Sequence, residues 1–399
     1  MKLNYIEPAG KSFKMTILAL FLGSFVTFAD LYSTQPVIPV FAKQFGVSPA
    51  TASLTLSFAT GALAICLLLV SFFSENIDRK KIMGTALTLS ALLSICVSFI
   101  QDDLYILITI RAIQGAVLAG FPAIAMAYIN EEFHPKSLGY VMGIYVSGSS
   151  IGGLAGRLIV GVLTDHFSWN VAIGSLGALS LIISLFFWWM LPPSQHAVRN
   201  KVSLSRIKAS LFNNLRNGKL VLLFSMAFLL MGSFVTVYNF VGIPLMGPPY
   251  HLSQTLIGFI FIIYLVGTFS STWMGRLADQ YGRRGVLLSG IAIMLLGALM
   301  TLMAPLLLKI LGLALFTFGF FGAHSIASSW IGRLAEKSEK AQASSLYLLF
   351  YYAGSSVVGA SGGLFLMKFG WGGVISAVSI LIILAAVCVI MVEKVKIAK

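Results

Sequence analysis

Gly148-Ser149-Ser150-Ile151-Gly152-Gly153-Leu154-Ala155-Gly156 and Gly354-Ser355-Ser356-Val357-Val358-Gly359-Ala360-Ser361-Gly362 are one passage written twice, 206 residues apart. Other pairs keep nearly the same interval. Glu75-Asn76-Ile77-Asp78-Arg79-Lys80 precedes Asp279-Gln280-Tyr281-Gly282-Arg283-Arg284 by 204 residues, and Ile38-Pro39 precedes Ile243-Pro244 by 205. So steady an interval along 399 residues indicates a duplicated half. Two like halves that span a membrane can rock about a site held between them.

The membrane is indicated by composition. Hydrophobic residues make up 58% of the chain and charged residues 10%, too little charge to solvate a protein of this size. Charge-free runs of roughly 20 residues or more recur, each long enough to cross a bilayer as a helix. Backbone groups in lipid must be satisfied within the segment, and the alternating pattern of a membrane barrel is absent, so the expected fold is all-α. Twelve spans are expected, at 15–39, 50–73, 82–101, 104–130, 138–163, 170–191, 219–245, 253–275, 285–304, 306–332, 342–367 and 371–392. They divide into bundles at 1–191 and 219–399, joined by a polar segment at 192–218. Within that segment Leu204, Ile207, Leu211 and Leu215 follow helical spacing among Lys201, Arg206, Lys208 and Arg216, the pattern of an amphipathic helix on the inner leaflet.

The net charge of +14 follows topology rather than nucleic acid. With both termini cytoplasmic, the 27 Lys and Arg all fall on the inner side except Lys43, Lys309, Lys368, Arg111 and Arg157, as the positive-inside rule requires of a multi-pass protein of the cell membrane. Cys66, Cys96 and Cys388 all lie within spans and form neither a disulfide framework nor a metal motif. Lys11 and Lys14 lead straight into a full-length first span, so no cleavable signal peptide is expected.

With these features in place, the chain resembles the major facilitator superfamily over essentially its whole length. Gly275-Arg276-Leu277-Ala278-Asp279-Gln280-Tyr281-Gly282-Arg283-Arg284 matches that family's signature turn between the second and third spans of a half; in the first-half copy Ser71, Glu75 and Asp78 replace the leading glycine, the aspartate and the second glycine. Arg111-Ala112-Ile113-Gln114-Gly115 is similar to the motif of its proton-coupled exporters, and Gly148 to Gly156 to its antiporter signature. Here Gly153 stands where that signature has proline, and Arg157 where it has glycine. The resemblance implies twelve helices in two six-helix pseudo-repeats. It also implies a monomer driven by the proton gradient without a cofactor, and a cavity lined by the first, fourth, seventh and tenth spans.

Candidate site residues follow. Glu75, Asp78, Arg79, Gly275, Arg276, Asp279, Gly282, Arg283 and Arg284 are expected to form a conformational latch, its arginines pairing with acids across the seam between halves. Gly148, Gly152, Gly153, Gly156, Gly354, Gly359 and Gly362 are expected to allow close helix packing. Intramembrane charges are functional candidates by default. Asp30 is the one carboxylate well inside a span, and with Arg111 as its partner it is the candidate proton carrier; alternatively the two form a static pair. His324 can relay a proton. Arg157 needs an anion or several acceptors, and a carboxylate- or phosphate-bearing substrate supplies one. Tyr32, Gln35, Tyr128, Tyr238, Asn239 and Trp330 are candidate lining groups.

The function expected is proton-coupled export of a small molecule, with an organic acid, metallophore or other carboxylate compound favoured by the charge balance. Multidrug or sugar efflux and lipid flipping use the same fold. An intramembrane enzyme needs clustered His, Asp or Glu, or a serine with its base, and no such cluster or metal spacing is present. The P-loop glycine pattern of ATP users is also missing.

Overall fold

The computed structural model describes residues 5–6, 10–73, 78–134, 137–195, 204–336 and 339–394. Among them every regular element is a helix, in the order α1 (Lys11–Tyr32), α2 (Ile38–Gln44), α3 (Pro49–Phe73), α4 (Arg79–Ser98), α5 (Leu104–Leu118), α6 (Pro122–Glu132), α7 (Leu138–His166), α8 (Trp169–Met190), α9 (Leu204–Arg216), α10 (Gly218–Phe240), α11 (Gly242–Met246), α12 (Gln254–Ile260), α13 (Tyr264–Tyr281), α14 (Arg283–Met300), α15 (Leu306–Leu334) and α16 (Lys340–Val392). Eleven helices among the described residues are long and apolar enough to cross a membrane. The last of them is two spans in one: Gly370 adopts φ 63° and breaks the helical path inside α16, a conformation that glycine enters without a Cβ penalty. The spans expected at 342–367 and 371–392 are its two arms.

The chain forms two compact units. One comprises residues 1–37, 58–201 and 254–259, the other 38–57, 202–253 and 260–399. In the first, α1 packs along α7 and α8, and α4 along α8. The stripe Gly148, Gly152 and Gly156 on α7 makes this possible. A Cβ at each would meet the backbone of Phe21, Phe25 and Ala29 in turn, so the same four-residue step runs down both helices. Gly153 departs from its expected packing role. A Cβ there would meet the Arg157 guanidinium at 3.2 Å and the Phe28 and Tyr32 side chains of α1 only at ordinary contact distance, 3.9 and 4.0 Å, with no close approach to backbone. In the second unit α10 packs along α16, with Gly354 against the backbone of Phe228, Gly359 against Val235 and Gly362 against Thr236.

Both units break a helix at a proline. Pro36 has no N–H to give the Tyr32 carbonyl, so α1 ends at Tyr32 and Gln35 N–H donates to that carbonyl instead, at 3.1 Å. Pro244 likewise cannot bond Phe240, where α10 ends. Such breaks expose backbone groups that buried side chains must satisfy.

α9 forms where the amphipathic pattern places it. Within its stretch from Lys208 to Arg216, Ser210 and Asn214 are buried while Phe212 and Leu215 stay exposed. Asn213 donates to Glu339 at 3.0 Å, and the Arg216 guanidinium lies 4.3 Å from the Phe212 ring centroid.

Candidate functional site

In the first unit Asp30 lies fully buried on the last turn of α1. Its carboxylate accepts from Ser90 Oγ on α4 at 2.8 Å and from Ser180 Oγ on α8 at 2.7 Å. The expected direct pairing with Arg111 is replaced by an indirect one. Arg111, buried on α5, donates through Nη1 to the Asp30 backbone carbonyl at 2.9 Å and through Nη2 to the Leu31 carbonyl at 2.5 Å. The cause is the proline break: the end of α1 presents carbonyls, the negative end of its dipole, and a cation there satisfies both requirements.

Arg111 also reaches the carboxylate through a chain of hydrogen bonds. Its Nη1 donates to Gln114 Oε1, and Gln114 Nε2 donates to Ser90 Oγ at 3.1 Å, to the Ser90 carbonyl at 3.0 Å and to Ser94 Oγ at 2.7 Å. Ser90 then donates to Asp30. A hydroxyl rotates to donate or accept as needed. The Ser90 and Ser180 hydroxyls can therefore serve a charged carboxylate as donors and accept from a protonated one, so the surroundings tolerate both states.

Arg157 sits on the far side of the α1 break, buried against Tyr32 and Gln35. Its Nε donates to Gln35 Oε1 at 2.7 Å, its Nη1 to the Gly153 carbonyl at 2.5 Å, and its guanidinium carbon stands 4.2 Å from the Tyr32 ring centroid. Three candidates drawn separately from the sequence thus form one cluster. Among the described residues the buried charged side chains are Asp30, Arg79, Arg111, Glu132 and Arg157. Arg79 and Glu132 lie at helix ends: Arg79 grips Glu131 at 2.9 and 2.7 Å, and Glu132 accepts from Ser194 Oγ at 2.6 Å and Gln195 N–H at 2.7 Å.

Tyr128 is not a lining group of this cluster. It is buried in the apolar core with Phe13, Phe121 and Phe133, and donates to the Pro192 carbonyl at 3.0 Å. The second unit holds the remaining candidates. Tyr238 shares a hydrogen bond of 2.6 Å with Thr317, and Asn239 donates to the Gly359 carbonyl at 3.2 Å. His324 Nδ1 bonds the Tyr347 hydroxyl at 2.8 Å, and its ring lies 4.6 Å from Tyr351 and 6.0 Å from Phe320. Phe320 in turn stacks on Phe234 at 4.0 Å. His324 is thus one member of an aromatic wall. Trp330 lies half-buried about one turn from the end of α15.

The signature turn folds as its glycine requires, with Gly282 at φ 93° between α13 and α14. Its ion pairs differ from expectation, because the acids they find lie within the second unit. Arg283 bonds Asp279 at 2.8 Å, Arg333 approaches the same oxygen at 3.5 Å, and Arg284 pairs with Glu393 at 2.6 Å. In the first unit Asp78 caps α4, accepting from Lys80 N–H at 2.8 Å. Glu75 lies outside the described residues.

The partners Ser90, Ser180, Tyr347 and Glu131 were not foreseen. Serines are frequent in these spans, and only the fold distinguishes the two that face Asp30. Gln114 did carry a signal, since it stands inside the quoted Arg111–Gly115 motif. The motif's Gly115 lets α5 approach the backbone of Ala59.

The family model described as Major Facilitator Superfamily matches residues 20–247 and 223–398. The chain is 45% identical over 383 residues to the protein named Uncharacterized MFS-type transporter YybF of Bacillus subtilis, covering 96% of this chain and 94% of that one. It is 42% identical over 382 residues to the inner membrane transport protein YnfM of Escherichia coli, covering 96% and 91%. A bacterial homologue of the human lysosomal transporter Spinster, solved inward-facing and unoccupied, superposes with a TM-score of 0.81 at 15% identity, covering 97% of this chain and 98% of that one. Repeat, helix order and sequence kinship agree: the chain belongs to the Major Facilitator Superfamily and is a multi-pass membrane transporter rather than an enzyme.

Proposed function

We propose that the chain is a proton-coupled secondary transporter that exports a small anionic metabolite, a carboxylate-bearing compound such as an organic acid or metallophore, by alternating access. The observation that carries the coupling is the Asp30 environment. A buried carboxylate held by two rotatable hydroxyls, and linked to Arg111 through Gln114 and Ser90, suits reversible protonation. A fixed ion pair would oppose it, since an adjacent guanidinium favours one charge state. Export is supported by the Arg111–Gly115 motif's likeness to that of proton-coupled exporters. The anionic substrate is supported by Arg157, a buried guanidinium oriented by Gln35 and stacked on Tyr32, in a region with two arginines to one aspartate.

Efflux of amphipathic drug-like compounds is the second reading, favoured by the aromatic wall of Phe234, Phe320, His324 and Tyr351.

Untargeted comparison of secreted and retained metabolites in cells with and without the protein tests the reading. Cells lacking it should retain an anionic compound several-fold above the wild type. Retention of a neutral sugar or a cationic drug instead would set the anion reading aside.

A further inference from the structure

We propose that the first unit carries a specific site for one anionic phospholipid of the inner leaflet, in a groove between α3, α4 and α5. It stands on the fold and the orientation implied by the basic residues, independently of the transport reading. The groove measures about 390 Å³ and is almost wholly apolar, within the range of small-molecule sites. Its floor is built from the small residues Ala86, Ala116 and Gly120, and a Cβ at Gly120 would press on Ala86 at 3.1 Å. Val70 and Val117 form its sides.

Polarity along the groove follows the polarity of a lipid. Lys81, Thr85 and Leu89 stand at four-residue steps on one exposed face of α4 and all line it. Lys81 is at the mouth, near the N-terminal end of α4 that faces the cytoplasm in the expected orientation. Thr85 lies about 6 Å deeper and Leu89 about 12 Å deeper along the helix axis, within the roughly 15 Å half-thickness of the hydrocarbon. Ammonium, hydroxyl and alkyl surface therefore meet phosphate, glycerol ester and acyl chain in order.

Of the neighbouring cations, Arg79 grips Glu131 and Lys80 does not line the groove. Among the described residues no ion pair or hydrogen bond involves the Lys81 side chain. A single free ammonium at the lip of an apolar slot gives charge complementarity to an anionic headgroup, and small floor residues give room for one chain.

The test is native mass spectrometry of the purified full-length protein titrated with phosphatidylglycerol or phosphatidylcholine. Lys81→Gln should weaken the first phosphatidylglycerol about five-fold and leave phosphatidylcholine unchanged, while Lys81→Arg should retain wild-type preference. Ala116→Leu, which fills the floor, should lower retention of both lipids. Lys340→Gln, at another exposed inner-side lysine, should change neither. Unchanged phosphatidylglycerol binding in Lys81→Gln overturns the proposal. So does an equal loss in Lys340→Gln, which would mean that the lipid answers only to general surface charge.

Discussion

Asp30 and Arg157 face the same break in the first span from opposite sides, and each is held by neutral groups. For Asp30 these are two hydroxyls. For Arg157 they include an amide oxygen, a carbonyl and an aromatic face. The difference lies in what each can exchange. A hydroxyl can turn to donate to a charged carboxylate or accept from a protonated one, so it can follow a proton. The Tyr32 face and the Gln35 oxygen hold a planar fork in one direction, which a lysine cannot copy because its ammonium is a point charge without a planar fork. If Arg157 meets the substrate anion, Arg157→Lys should weaken substrate binding about ten- to hundred-fold, the scale of a lost charge-assisted hydrogen bond, with the protein still folded. Calorimetric titration of the purified variant checks this, and unchanged affinity would leave Arg157 a packing residue only.

Helix α7 owes its place to glycines whose roles divide by face. Gly148, Gly152 and Gly156 bring its backbone onto α1. Gly153, one residue from the middle of that stripe, leaves its carbonyl to Arg157. Gly152→Leu therefore forces α1 and α7 apart and should cost at least about 1–3 kcal/mol by overpacking, read as a fall in melting temperature and in monodisperse yield. Gly153→Ala should lower the melting temperature less, because the atom it meets most closely, at 3.2 Å, belongs to a side chain rather than to the backbone of α1. Equal damage from both would contradict the division of faces. The sequence shows the repeat of this stripe but not its orientation, since four glycines in nine residues leave more than one face open to close packing.

At the scale of the whole molecule, spans and duplication were legible because they rest on length, hydropathy and interval, which one chain displays by itself. The helix ends at Tyr32 and Phe240, set by Pro36 and Pro244, fall inside the spans expected at 15–39 and 219–245. Contacts between distant spans were less legible. That Arg111 would seek the Asp30 carbonyl rather than its carboxylate depends on where α1 ends relative to α5. That Arg284 would find Glu393, and Arg333 would approach Asp279, depends on how α13 to α16 pack. These exposed pairs are each worth less than about 1 kcal/mol.

Coupling to protons is the claim from which the others draw their meaning, and Asp30 concentrates it. The direct measurement is transport by the full-length protein in proteoliposomes under an imposed pH gradient, using the compound retained by cells that lack it. Wild-type protein should accumulate that compound against its gradient and lose this ability when a protonophore is added. Asp30→Asn should abolish the gradient-driven accumulation while preserving downhill exchange of the same compound, which shows that the variant is folded and binds. Undiminished gradient-driven accumulation by Asp30→Asn would contradict the account.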